Sequence, residues 1–142
     1  MANEATIRQW MTVLVGDNQW SSPRPSSFQT DVASFKGPVP GVFTVTIAGI
    51  DVDLSELTIP GLCQITNLDS TNYVNVGIWD PETGVFYPLA EVRAGETWCL
   101  RLSRNLFGEY GTGPGTSGAN TNTLRIKADT ASCSVVVEAF EA

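Results

Sequence analysis

Apolar and polar side chains alternate with a period of two through nearly all of this chain. Between Val42 and Ala48, Phe43, Val45 and Ile47 are apolar while Thr44 and Thr46 are polar. Successive side chains of a strand point to opposite faces, so this spacing predicts a half-buried strand and excludes a helix face. After Ala48-Gly49 the pattern resumes, with Ile50, Val52 and Leu54 inward and Asp51 and Asp53 outward. Gly49 is therefore expected at a tight turn or bulge.

The same test predicts a strand near Thr6 to Val15, with Ile7, Met11, Val13 and Val15 on one face, and a weaker one near Phe28 to Phe35. Short β-branched or aromatic runs follow at Gly61 to Leu68, Tyr73 to Trp79, Val85 to Leu89, Glu96 to Ser103, Thr123 to Ala128 and Cys133 to Phe140. Turn chemistry separates them at Asp69-Ser-Thr-Asn72, Asp80-Pro-Glu-Thr-Gly84 and Arg93-Ala-Gly-Glu96. No segment carries apolar residues at helical spacing over three turns, and Ser55-Glu-Leu57 allows one helical turn at most. About nine strands at spacings of roughly 8 to 12 residues predict an all-β fold, an antiparallel β-sandwich of jelly-roll or related type.

At 142 residues, with 42% hydrophobic and 16% charged side chains, the chain fits one domain (1–142) that buries a real core. Two stretches stand outside the sandwich pattern. The first is the N-terminal part, 1–40, a strand followed by the polar, proline-broken connection Gly16 to Pro25 with Trp20 as its aromatic anchor. The second, 105–122, holds five glycines and is longer than the roughly 12 to 15 residues usual for loops of compact domains.

Charge and missing residue types narrow the chemistry. Eight Lys and Arg against fifteen Asp and Glu give a net charge of −7 with no basic cluster, so a nucleic-acid partner is not expected, because that affinity comes from cations neutralising phosphates. The absence of histidine removes Ser/His/Asp and Cys/His nucleophile arrangements and most zinc, copper and iron sites. Cys63, Cys99 and Cys133 lie far apart without a C-x-x-C pair, and are expected as small, buried, reduced side chains, with one disulfide as the alternative. No metal, cofactor or catalytic residue is expected. The N-terminus lacks a signal-peptide pattern, and the apolar run Trp10 to Val15 is far shorter than the roughly 20 residues that span a bilayer; no membrane association is expected.

Four features of the sequence are candidate sites. Asp51 and Asp53 point the same way on one strand, as Ca²⁺ ligands can, but ordinary polar-out alternation accounts for them better. Glu82, Glu91, Glu96 and Glu109 sit at or near turns and offer no spacing that selects a glycosidase pair. The glycine loop contains neither a P-loop pattern nor a lysine, though its Phe107 and Tyr110 require burial against the domain or a neighbour. Tyr73, Asn75, Gly77 and Trp79 share a strand face, and Tyr73, Asn75 and Trp79 form the aromatic and amide strip of a carbohydrate-binding alternative, against simple cross-strand packing.

The segments Ile65-Thr-Asn-Leu-Asp69, Asn72-Tyr-Val-Asn-Val-Gly77, Phe86-Tyr-Pro-Leu89, Ala94-Gly-Glu96, Leu100-Arg-Leu102 and Leu124-Arg-Ile-Lys-Ala128 resemble small β-sandwich auxiliary virion proteins of tailed bacteriophages, over about the C-terminal two-thirds of the chain. The resemblance implies a non-enzymatic structural role in the virion, assembled in the host cytoplasm. It points first to a capsid decoration or cement protein, and otherwise to a neck or tail component. Its implied partners are copies of itself, often as a trimer, and the major capsid protein or another virion protein. It brings no catalytic residue. Asn67, Asp69 and Asn72 are expected to cap their own turn, and Gly95 to take a positive φ. Trp10, Trp20, Arg24, Phe107 and Tyr110 are the expected contact residues, with the N-terminal strand adding to a neighbour or Trp20 filling its pocket.

Overall fold

The alternating segments fold as strands. A computed structural model describes residues 4–21, 26–31, 37–103 and 123–141, and the described residues hold twelve strands and no helix. The chain divides into two compact units, Met1–Ser34 and Phe35–Ala142.

The first unit is a β-ribbon. Strand β1 (Glu4–Gln9) pairs antiparallel with β4 (Ser26–Asp31), and between them β2 (Thr12–Val15) pairs antiparallel with β3 (Asn18–Ser21). The two ladders are nested parts of one hairpin whose tip is Gly16-Asp17, with Gly16 at φ +58°. Two expectations are corrected here. Thr6 to Val15 is not one strand, because the ladder breaks at Trp10-Met11. Gly16 to Ser21, expected as part of an extended connection, is instead the turn and returning strand of this hairpin; a Gly-Asp pair between β-capable runs is a hairpin signal. Residues 22–25 lie outside the described residues, as do 32–35 of the predicted Phe28 to Phe35 strand.

The second unit contains eight strands: β5 (Val39–Val45), β6 (Ile50–Asp51), β7 (Pro60–Asn67), β8 (Val74–Asp80), β9 (Val85–Val92), β10 (Thr97–Arg101), β11 (Thr123–Ala128) and β12 (Cys133–Glu141). Their antiparallel pairings are nested: β8 with β9, β7 with β10, β6 with β11 and β5 with β12. This is one long hairpin closed at the turn Asp80-Pro-Glu-Thr-Gly84. Two further pairings, β7 with β12 and β8 with β11, roll it into two four-stranded sheets of order β10-β7-β12-β5 and β6-β11-β8-β9. Eight strands connected in this way form a jelly roll. The all-β antiparallel sandwich is thus observed, with more strands than the nine expected; the excess comes from the hairpin unit, where two strands and a connection are expected and four strands are found.

Alternation decides what lies between the sheets. Along β12, Cys133, Val135, Val137 and Ala139 are buried while Ser134, Val136 and Glu138 are less so. They meet Val45 and Ile65 of their own sheet and Val74, Val76, Val92, Leu124 and Ile126 of the other in one core. Each fully buried aliphatic side chain of this kind contributes roughly 1.5–3 kcal/mol relative to an exposed one. Leu54 and Leu57 join the core from the β6–β7 connection, where a single turn closes through the Leu57 N–H to the Leu54 carbonyl (3.0 Å). Ile50, expected inward, is 37% exposed, since β6 is only two residues long and sits at its sheet's edge.

Candidate functional site

Two surfaces carry the residues singled out from the sequence. The first is the outer face of the β6-β11-β8-β9 sheet. Register places Trp79 opposite Thr123 and Phe86, Gly77 opposite Arg125 and Pro88, and Asn75 opposite Lys127 and Glu91. Tyr73, Asn75 and Trp79 are each half-buried, as the strip on β8 requires of one sheet face. The guanidinium of Arg125 lies 3.8 Å from the centroid of the Trp79 ring, while its Nε donates to Asp51 Oδ1 at 2.5 Å. The Arg125 stem also runs beneath Gly49, where an added Cβ would stand 3.0 Å from Cδ. Cation, ring and carboxylate therefore tie the short β6 to β11 and β8. One face of the Trp79 ring is occupied in doing so.

The Tyr73 phenol is pushed up from its ordinary value by a hydrogen bond to Asp129 and by that carboxylate's charge, reinforced by slight burial and the charge of Glu91. Gly77 has a steric reason. The β8–β9 register shifts between Val76 and Gly77, and the Tyr87 carbonyl oxygen and the Pro88 Cα (2.8 Å) occupy the place of any side chain at 77.

The turn residues are structural. Asn67 is fully buried: its amide donates to the carbonyls of Asn72 (2.8 Å) and Val92 (3.1 Å), and its Oδ1 accepts from the Asp69 N–H (3.0 Å). Asp69 Oδ1 accepts from the N–H groups of Asn72 (2.7 Å) and Thr71 (2.8 Å), which hold its carboxyl below the usual range. Asp53 caps the Ser55 N–H (3.0 Å) and is likewise lowered, first by its hydrogen bond with the Ser55 hydroxyl and then by that N–H. Gly95 takes φ +75°.

The remaining titratable candidates do not converge. Asp51 is engaged by Arg125, Glu91 by Arg93 (2.9 Å), and Glu96 by the Arg93 N–H (3.0 Å); Glu109 lies outside the described residues. Among the described residues no three metal-ligating side chains come together. All three cysteines are free, but Cys99 is exposed, which corrects the expectation that each is buried. It lies on the outward row of β10, facing Gln64. Burial, with a smaller contribution from Cys99, pushes the Cys63 thiol up to about 12.

The second surface is the hairpin. Trp10 is 75% exposed and Trp20 49%, and Met11, Val13, Leu14 and Val15 are exposed as well. Register sets Val13 against Trp20, with Val15 on the same face, and Leu14 on the opposite face beside Thr12, Gln19 and Ser21. Thr12 and Ser21 share a hydrogen bond (3.3 Å) across that second face. Sequence reading singled out the two tryptophans but not Met11, Leu14 or Val15 as exposed. The signal was present in the stretch between Arg8 and Arg24, where Asp17 is the sole charge. Arg24, Phe107 and Tyr110, together with the glycine-rich segment 105–122, lie outside the described residues.

No protein-family model, curated protein or solved structure matches the chain.

Proposed function

We propose that this chain is a non-enzymatic structural protein of a virus particle, of the capsid decoration or cement type, that works by making contacts between subunits. A jelly roll serves in viral shells but also in lectins and cupins, so the fold alone carries no function. The observation that carries the reading is the hairpin. A two-stranded ribbon is marginal in water by itself, and this one presents Trp10, Leu14, Val15 and Trp20 to solvent. Side chains of that kind, on a ribbon with open edges, suit burial against another subunit.

The sandwich fits the same role. Its two outer faces are knit by local pairs such as Arg125–Asp51 and the Thr66–Thr97 hydroxyls (2.9 Å), which gives a stiff platform from which contacts can be made. The carbohydrate alternative has less support, because the Arg125 guanidinium takes a face of the Trp79 ring on which a sugar would stack. Mass spectrometry of purified particles tests the proposal. The chain is expected at many copies per particle, and particles that lack it altogether would refute a virion role.

A further inference from the structure

From the hairpin we infer a self-association site, in which the β2–β3 tip is covered by the same tip of a second copy of this chain. The inference rests on the reading of the hairpin as the contact element and names its partner.

Three observations favour a second copy. The first is charge. Residues 35–142 carry six Lys and Arg against twelve Asp and Glu, whereas from Gln9 to Pro23 the sole charged residue is Asp17, at the turn. Two copies meeting through their sandwiches bring like charges together; meeting through their hairpins, they bring neutral surfaces together and keep the acidic units apart.

The second is area. On one face Val13, Val15 and Trp20 are 41%, 68% and 49% exposed, and Trp10 and Met11 stand exposed beside them where the two ladders break. A standard interface takes roughly 800 Å² from each partner; one face of the ribbon supplies part of this, and main-chain pairing along the open edges of β2 and β3 supplies the rest.

The third is shape. Val13, Val15 and Trp20 share one face, so a two-fold arrangement sets like face on like face without needing a different complementary patch. β2 and β3 each have one ladder partner among the described residues, which leaves each an edge that a neighbouring strand can pair with.

Sedimentation of the full chain over a concentration series tests this. Wild type is expected at two or more times 15.3 kDa. V13T/V15T/W20T keeps β-branched residues in the strands and is expected at the single-chain mass. V42T alters an apolar residue on β5 that is 67% exposed and should keep the wild-type mass. Hydrogen exchange guards against a hairpin that merely unfolds in the triple variant: wild-type amides of β2 and β3 should slow as concentration rises. A wild-type chain that stays single, an oligomer lost through V42T, or β2 and β3 amides that exchange fast at every concentration would each overturn the inference. A single wild-type chain that still binds intact shells overturns the self-association and leaves the structural role standing. A hairpin-joined oligomer absent from particles does the reverse.

Discussion

The sandwich and the hairpin use the same alternation and reach opposite results. On β12, Val135 and Val137 are fully buried, because a second sheet stands across from them. On β2, Val13 and Val15 have the same spacing yet are 41% and 68% exposed, with β3 as the sole ladder partner among the described residues. Period two says that one face of a strand is apolar; it does not say what covers that face. In the sandwich the chain supplies the cover itself, by doubling its long hairpin over. In the N-terminal unit the ribbon is a single layer, and a single layer has no interior.

The sharpest way to break that contrast is to truncate one side chain in each region. Ile126→Ala removes a fully buried side chain facing the opposite sheet and is expected to cost about 3–4 kcal/mol in urea unfolding of the sandwich. Val15→Ala in the hairpin is expected to change the same transition by less than about 0.5 kcal/mol, as surface substitutions do. Equal costs would mean that the hairpin shares the sandwich's core.

Asn67→Ala should rank next. The carbonyls of Asn72 and Val92 and the Asp69 N–H each lose a partner, and a buried group left unpaired costs about 1–3 kcal/mol, so a loss of about 3 kcal/mol is expected. Gly77→Ala follows at about 1–3 kcal/mol, since the β9 backbone must move away from the new methyl. A neutral Gly77→Ala would show that the bulge in β9 is soft. The hairpin offers a control in Gly16, where an added Cβ meets nothing within 4 Å and the cost comes from the positive φ alone.

These residues also show what the sequence makes legible. The strands from β5 to β12 stand close to the runs picked out by alternation, and the Asn67–Asp69–Asn72 turn is readable because Asx side chains bond to backbone two or three residues on. Such signals are local. The Arg125–Trp79–Asp51 cluster joins residues 46 and 74 positions apart, and no spacing rule connects β11 to β6 or β8, because each candidate strand edge can accept many partners. Gly77 was visible as a glycine, but its reason lies in a β9 register shift that alternation does not encode. The hairpin tip was hidden for another reason. Polar residues and prolines in Gly16 to Pro25 resemble a linker, and they outweighed Gly16-Asp17 as a turn between two four-residue strands.

The smallest expected effect concerns how the sandwich turns are held. The Asp69 carboxylate accepts two backbone N–H groups and sits below its ordinary value of 3.8; Asp80 is lowered by the Thr83 hydroxyl and by the N–H groups of Glu82 and Thr83. A carboxyl lowered by folding adds stability that is full above its unfolded value and is lost as pH falls through its folded one. Unfolding midpoints of wild type and Asp69→Asn should therefore differ most at neutral pH. The gap should narrow once pH drops below 3.8, as the wild-type carboxyl takes up its proton and gives up the ionised form that these donors favour. Because the comparison subtracts every other titrating group, a gap that stays constant from neutral to acid would show that the turn is held by its geometry rather than by the charge on Asp69.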